Sequence, residues 1–153
     1  MAGYSGTPLP QKLGIKPGAA VLLRLAPTGF ALDPLPPDVK LSRNARGPFD
    51  VIVLFARNRA VLLAELAHAM AKLKPDGGLW VAWPKKASGE LTDLQEGTVR
   101  TAGLEARLVD NKICAIDETW SGLRFVYRLR DRAEVASMKR RPSVPARPSR
   151  RRP

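Results

Sequence analysis

The run Phe49-Asp-Val-Ile-Val-Leu-Phe55 constrains this chain more than any other segment. It is apolar at every position but one, and β-branched at Val51, Ile52 and Val53. An unbroken run of this kind suits a parallel strand covered on both faces, because a strand with one wet face would alternate. Parallel neighbours need crossover connections, and the next segment supplies one. Asn58 can cap a helix in which Leu62, Leu63, Leu66, Met70 and Leu73 recur at helical spacing. Pro75-Asp-Gly-Gly78 stops that helix, and Leu79-Trp-Val-Ala-Trp83 reads as another strand.

The flanks extend the pattern. Val21-Leu-Leu-Arg-Leu25 reads as a first strand, followed by the turn Ala26-Pro-Thr-Gly-Phe30. Pro34, Pro36, Pro37 and Pro48 exclude a long helix from residues 31–48, leaving room for a short strand at 39–42. Thr92-Asp-Leu-Gln95 has the capping-box pattern and opens a helix to about Ala102, ended by Gly103. Residues 105–117 and 123–129 are strand-like, and the short link between them implies an antiparallel hairpin. The fold class is α/β: a doubly wound, mostly parallel Rossmann-like sheet with a C-terminal antiparallel hairpin. Residues 1–130 form a single domain, and residues 131–153 form a disordered basic tail rich in proline and arginine.

Charge is concentrated in that tail. The chain carries a formal +12, of which +7 lies in residues 139–153, where no acidic residue occurs. That segment implies at most weak contact with nucleic acid or another polyanion, or simply a solvated extension. No apolar run approaches the roughly 20 residues of a membrane span, so no membrane partner is expected. The first residues lack the basic and apolar regions of a secretory signal, and the single cysteine, Cys114, fits a cytoplasmic protein. With one histidine, His68, and no second soft ligand nearby, no metal site is expected. Cys114, between Ile113 and Ala115, reads as a small buried side chain rather than a nucleophile. No residue is assigned a catalytic role.

In an open parallel sheet, ligands bind beyond the carboxyl ends of the strands. Four segments should meet there: residues 26–29, 56–58, 84–89 and 117–122. The last joins only if residues 105–117 run parallel to the central strands. Lys85, Lys86, Asp117, Glu118 and Trp120 then share one rim, and Ser88 and Thr92 add hydroxyl donors. Lysines beside a helix N-terminus suit an anionic small molecule, with Trp120 stacking on a ring. The structural alternative pairs Lys86 with Asp117 or Glu118 and packs Trp120 into the rim.

Two resemblances bear on function. Leu13-Gly-Ile-Lys-Pro-Gly-Ala-Ala-Val-Leu-Leu23, Phe49–Phe55 and Leu73-Lys-Pro-Asp-Gly-Gly-Leu-Trp80 resemble the class I methyltransferase architecture. That resemblance implies the α/β sheet. The loop after the first strand, Ala26-Pro-Thr-Gly29, carries one glycine, and Asp33 and Asp38 lie in a proline-rich stretch. Binding of S-adenosylmethionine is therefore not expected, and no cofactor is assigned. The second set comprises Met1-Ala-Gly-Tyr-Ser-Gly-Thr-Pro-Leu9, Leu13-Gly-Ile-Lys-Pro-Gly18, Trp83-Pro-Lys-Lys-Ala-Ser-Gly89 and the stretch from Val109 to Phe125. These resemble a bacterial family, the domain of unknown function 3052, over roughly residues 2–130. Together the residues point to a non-catalytic binding or regulatory domain for an anionic small ligand. The alternatives are an enzyme derived from the methyltransferase fold and a nucleic-acid-associated protein acting through its tail.

Overall fold

A computed structural model of the protein describes residues 6–140. Among them, a short helix α1 (Leu9–Lys12) precedes strands β1 (Ala20–Arg24), β2 (Lys40–Ser42) and β3 (Phe49–Phe55). Helix α2 (Arg59–Lys72) leads into β4 (Leu73–Pro84), and α3 (Glu96–Glu105) follows. Strands β5 (Leu108–Ala115) and β6 (Trp120–Tyr127) form the closing hairpin, and α4 (Leu129–Arg140) follows it. The described strands make one six-stranded mixed sheet in the order β2-β1-β3-β4-β6-β5. The first four run parallel to one another; β6 is antiparallel to both β4 and β5. It follows that β5 runs parallel to β4, and the β5–β6 turn lies at the carboxyl edge of the central strands.

The central strands are buried on both faces, as the apolar run at β3 requires. On one face, Leu62 and Leu66 of α2 and Val99 and Ala102 of α3 pack on Ile52, Leu54, Val81 and Phe125, with Val135 of α4 at the margin. The other face is covered by α1 and irregular chain. There Leu13, Ile15 and Leu32 pack on Val21, Val53, Phe55 and Trp80. Prolines keep residues 25–39 irregular, yet Leu32 is 3% exposed, so this segment acts as a cover without being a helix. No helix among the described residues is long and apolar enough to cross a membrane.

Helix α2 begins as its sequence implies: the Asn58 side chain accepts from the Val61 amide at 2.9 Å. Three other boundaries differ from expectation. Strand β4 starts at Leu73 and absorbs Pro75-Asp-Gly-Gly78, because Gly78 is where Arg124 of β6 lies flat on the sheet. A Cβ at Gly78 would sit 2.5 Å from Arg124 Nε. Helix α3 starts at Glu96, with Gln95 at its cap position and no side-chain cap bond. It runs through Gly103, which lies inside the helix because its missing Cβ makes room for the Phe125 ring. Finally, residues 131–140, expected in the tail, belong to α4. Lys139 Nζ donates to the carbonyls of Met70 and Ala71 at 2.9 and 3.0 Å, satisfying the C-terminal end of α2. The remainder of the expected tail, residues 141–153, lies outside the described residues.

The two glycines of α3 separate propensity from packing. Gly103→Ala forces a methyl into the Phe125 ring and should destabilise the protein by about 1–3 kcal/mol. Gly97→Ala has nothing within 4 Å of the new methyl and should be neutral or stabilise by up to about 1 kcal/mol. Urea denaturation of both variants checks the contrast; equal effects would show that Gly103 is not packed as described.

Candidate functional site

The carboxyl edge of the sheet is built from loops tied to each other by two backbone bonds and one side-chain bond. The Ala56 amide donates to Ala82 O at 2.8 Å as β3 ends beside β4. Beyond β4, the Lys85 amide donates to Thr119 O at 2.7 Å, which lays the residues after Pro84 against the β5–β6 turn. The third tie is Thr92, whose hydroxyl donates to Arg57 O at 2.7 Å. Segments after β3, β4 and β5 thus meet as the parallel-sheet argument requires.

The individual side chains sort themselves by what they touch. Lys85 is half-buried and precedes a single 3₁₀ turn (Lys86–Ser88); Lys86 is exposed. Among the described residues neither lysine makes an ion pair. Asp117 is committed to the turn: its Oδ1 accepts from the amides of Thr119 and Trp120, both at 2.8 Å. It makes no ion pair with Lys86 among the described residues, and the two amide bonds explain why residues 117–120 turn so sharply. Glu118 is exposed and makes no ion pair among the described residues. Ser88 donates its hydroxyl to Lys85 O at 2.7 Å and accepts from the Glu90 amide at 3.2 Å. Thr92 likewise accepts from the Leu94 amide at 3.1 Å. Both hydroxyl protons are therefore engaged within the loop, and what these residues offer a ligand is lone pairs rather than donors.

Trp120 is 3% exposed. Its ring stands edge-on to Phe55, with centroids 5.1 Å apart and planes at 85°. Arg57 Cζ lies 5.5 Å from the Trp120 centroid, over the ring. The ring is thus packed into the rim and is not an open stacking platform. Phe30 extends the aromatic row, 4.9 Å from Phe55 and edge-on.

Arg57 is the residue that sequence reading missed. Besides covering Trp120, it pairs with Glu90 at 3.2 Å, and its carbonyl holds Thr92. Its position was the available signal: it is the first charged residue beyond the carboxyl end of the buried strand β3. The helix-cap reading of Thr92-Asp-Leu-Gln95 also resolves differently. Asp93 accepts from the Arg59 amide at 2.8 Å, so it serves the first turn of α2 rather than of α3. Cys114 sits half-buried in strand β5, and burial pushes its thiol up, against the pull of Lys12 and Lys112. A raised thiol is a poor nucleophile.

Comparison with known proteins now adds a name for the family. A family model described as "Protein of unknown function (DUF3052)" matches residues 39–129. The chain belongs to this family. The match contains the Trp83-Pro-Lys-Lys-Ala-Ser-Gly89 and Val109–Phe125 stretches; the Leu13-Gly-Ile-Lys-Pro-Gly18 motif lies before it. No curated protein matches the chain. Among solved structures, the crystal structure of TrmN from Thermus thermophilus resembles it with a TM-score of 0.51 at 13% identity. The alignment covers 78% of this chain but 47% of that one, so the chain spans about half the length of this structural relative. At that identity the likeness concerns the fold alone.

The two carboxylates of the β5–β6 turn should behave differently. Asp117→Ala leaves two amides without their acceptor and should cost about 1–2 kcal/mol in urea denaturation. Glu118→Ala, at an exposed neighbouring position, should change stability by less than about 0.5 kcal/mol. The account of the turn is wrong if the two variants are equally stable.

Proposed function

We propose that this protein is a non-catalytic binding or regulatory domain for a small anionic ligand held at the carboxyl edge of its sheet. The observation that carries this reading is an imbalance of pairing at the rim. Lys85 and Lys86 make no ion pair among the described residues, while three of the acidic groups around them hold other partners. Asp117 is held by two amides, Asp93 by the Arg59 amide, and Glu90 by Arg57. Two unpaired cations beside these engaged carboxylates attract a mobile anion. Glu118 remains exposed nearby and limits the site to ligands that approach from the lysine side.

The second reading is an enzyme descended from the methyltransferase fold, and the likeness to TrmN favours it at the level of architecture. The sheet order supports a pared-down Rossmann-like, doubly wound plan in which irregular chain replaces helices on one face. Its switch point lies between β1 and β3, since the chain passes from β1 to β2 on one side and returns to β3 on the other. In that plan the crevice at the switch point is where a nucleotide-bearing cofactor lies. Here the Phe30 ring from the loop after β1 packs against Phe55 at the end of β3, and aromatic packing occupies that approach. This weighs against cofactor chemistry. Contact with nucleic acid through the basic tail rests on its charge, and residues 141–153 lie outside the described residues.

The test is a thermal-shift screen of nucleotides and sugar phosphates on the wild type and on the Lys85→Ala, Lys86→Ala double variant. At least one anion should stabilise the wild type, and the double variant should lose most of that shift. Without ligand, the double substitution should change stability by less than about 1 kcal/mol, because both side chains project from a loop. No stabilising anion, or equal stabilisation of both proteins, defeats the rim reading. Micromolar binding of S-adenosylmethionine by calorimetry would instead favour the enzyme.

A further inference from the structure

A second charged cleft lies at the opposite, amino edge of the sheet. It has a volume of about 470 Å³ and is lined by Lys16, Gly18, Asp50, Lys74, Asp76 and Arg124, among others. A cleft of this size accommodates a small metabolite. One wall is the Leu13-Gly-Ile-Lys-Pro-Gly18 motif, which the rim leaves unexplained. Leu13 and Ile15 are buried, the Trp80 indole N–H donates to Leu13 O at 3.0 Å, and the Ala19 amide donates to Lys16 O at 3.1 Å. These contacts fix the turn and leave the Lys16 side chain exposed at the mouth.

Arg124 lines the same cleft. It lies across from Trp80 on the neighbouring strand, flat over Gly78, and is half-buried. Its one hydrogen bond among the described residues goes from Nη1 to the Asn111 side-chain oxygen, at 3.3 Å, which is long for a charged donor. Burial and the neighbouring Arg132 both push its pKa down, so its charged form lacks the carboxylate that half-buried arginines usually find. The acids in the cleft do not supply one. Asp50 accepts from the Ala20 amide at 2.8 Å and pairs with Lys74 at 2.9 Å. Burial alone would raise the Asp50 carboxyl, but the amide and the ammonium outweigh it and hold it below its usual range. Asp76 is exposed and makes no ion pair among the described residues.

We propose that this cleft binds a small phosphomonoester, its phosphate held between Arg124 and Lys16 and its hydroxyl-bearing body facing Asp76. A guanidinium offers paired, coplanar N–H groups that match two oxygens of a phosphate. Lys16 adds a second cation from the neighbouring turn of the cleft, so the pair balances the ligand's dianion. Asp76, with no donor of its own, accepts from a ligand hydroxyl and disfavours a bulky polyanion. The glycine at 78 is the condition for the site, because any side chain there would displace the guanidinium.

The test uses glycerol 3-phosphate, with inorganic phosphate and glycerol as separate arms, in the full chain carrying Lys85→Ala and Lys86→Ala. That background separates the two sites: failure here leaves the rim's thermal shift in the wild type untouched, and failure at the rim leaves binding here intact. Calorimetry should show saturable binding of glycerol 3-phosphate, weaker binding of phosphate and none of glycerol, with the Arg124 Nε–H resonance moving on titration. Arg124→Gln should weaken binding by roughly tenfold or more, the loss of a charge-assisted bond. Lys16→Ala, at an exposed position, should weaken it severalfold, and it decides the question if Arg124→Gln does not fold. Asp76→Asn should bind phosphate as tightly as the parent or more so. The proposal is overturned if no probe saturates, if the Arg124 and Lys16 variants bind like their parent, or if Asp76→Asn lowers stability as the loss of an Arg124 partner would.

Discussion

The structure depends on a single buried hydrogen bond from the Trp80 indole to the carbonyl of Leu13. Trp80 is fully buried at the centre of the sheet, and its N–H must find an acceptor or cost about 1–3 kcal/mol. The acceptor comes from sixty-seven residues earlier in the chain, in a segment with little regular structure. That bond, with Leu13 and Ile15 packed around it, holds irregular chain where many α/β proteins place helices. The fold is therefore asymmetric: conventional helices on one face, a pinned N-terminal cover on the other. The same pin orients the turn that carries Lys16, so it links core packing to the charged cleft below.

The two edges of the sheet have different characters. At the carboxyl edge, loops after three parallel strands converge, as topology dictates, and lysines project from them. Aromatic rings fill the approach at the switch point, which leaves the proposed ligand surface to the β4 and β5 side. At the amino edge, the notable charge is on β6, the one strand of the described sheet that runs against all the others. Because β6 runs antiparallel, its second half heads towards the amino edge, and from the level of Trp80 the long Arg124 side chain reaches over Gly78. Arg124 thereby lines the same cleft as Lys16 and Asp50.

Much of this plan was legible in the residues, and what was not has a common cause. The run at β3, the Asn58 cap, the stripe of α2 and the hairpin all follow from local rules, and the structure contains them. The rim was legible as a meeting of loops because parallel topology fixes which loops meet. Gly78 and Gly103 were misread as terminators because a glycine that breaks a helix and one that admits a neighbour look alike in sequence. Only tertiary contact with Arg124 and Phe125 distinguishes them. Asp93 was misassigned for the same reason: it serves a helix thirty-four residues before it, and no local pattern reports that. Trp120 and Arg57 show a further limit. A tryptophan near a loop looks equally suited to stacking on a ligand or to packing, and the choice is made by Phe55 and Arg57 from another strand end.

The sheet's outermost strands carry one more consequence. On one side it ends at β2, three residues long and beginning with Lys40. On the other it ends at β5, whose middle holds Asp110, Asn111 and Lys112, with a register shift where Asn111 is skipped. An exposed strand edge is a template for pairing with another chain, and short length, charge and bulging each blunt it. Both margins of this protein are blunted in those ways. So apolar a centre is thus bordered by margins that discourage strand-to-strand growth of the sheet.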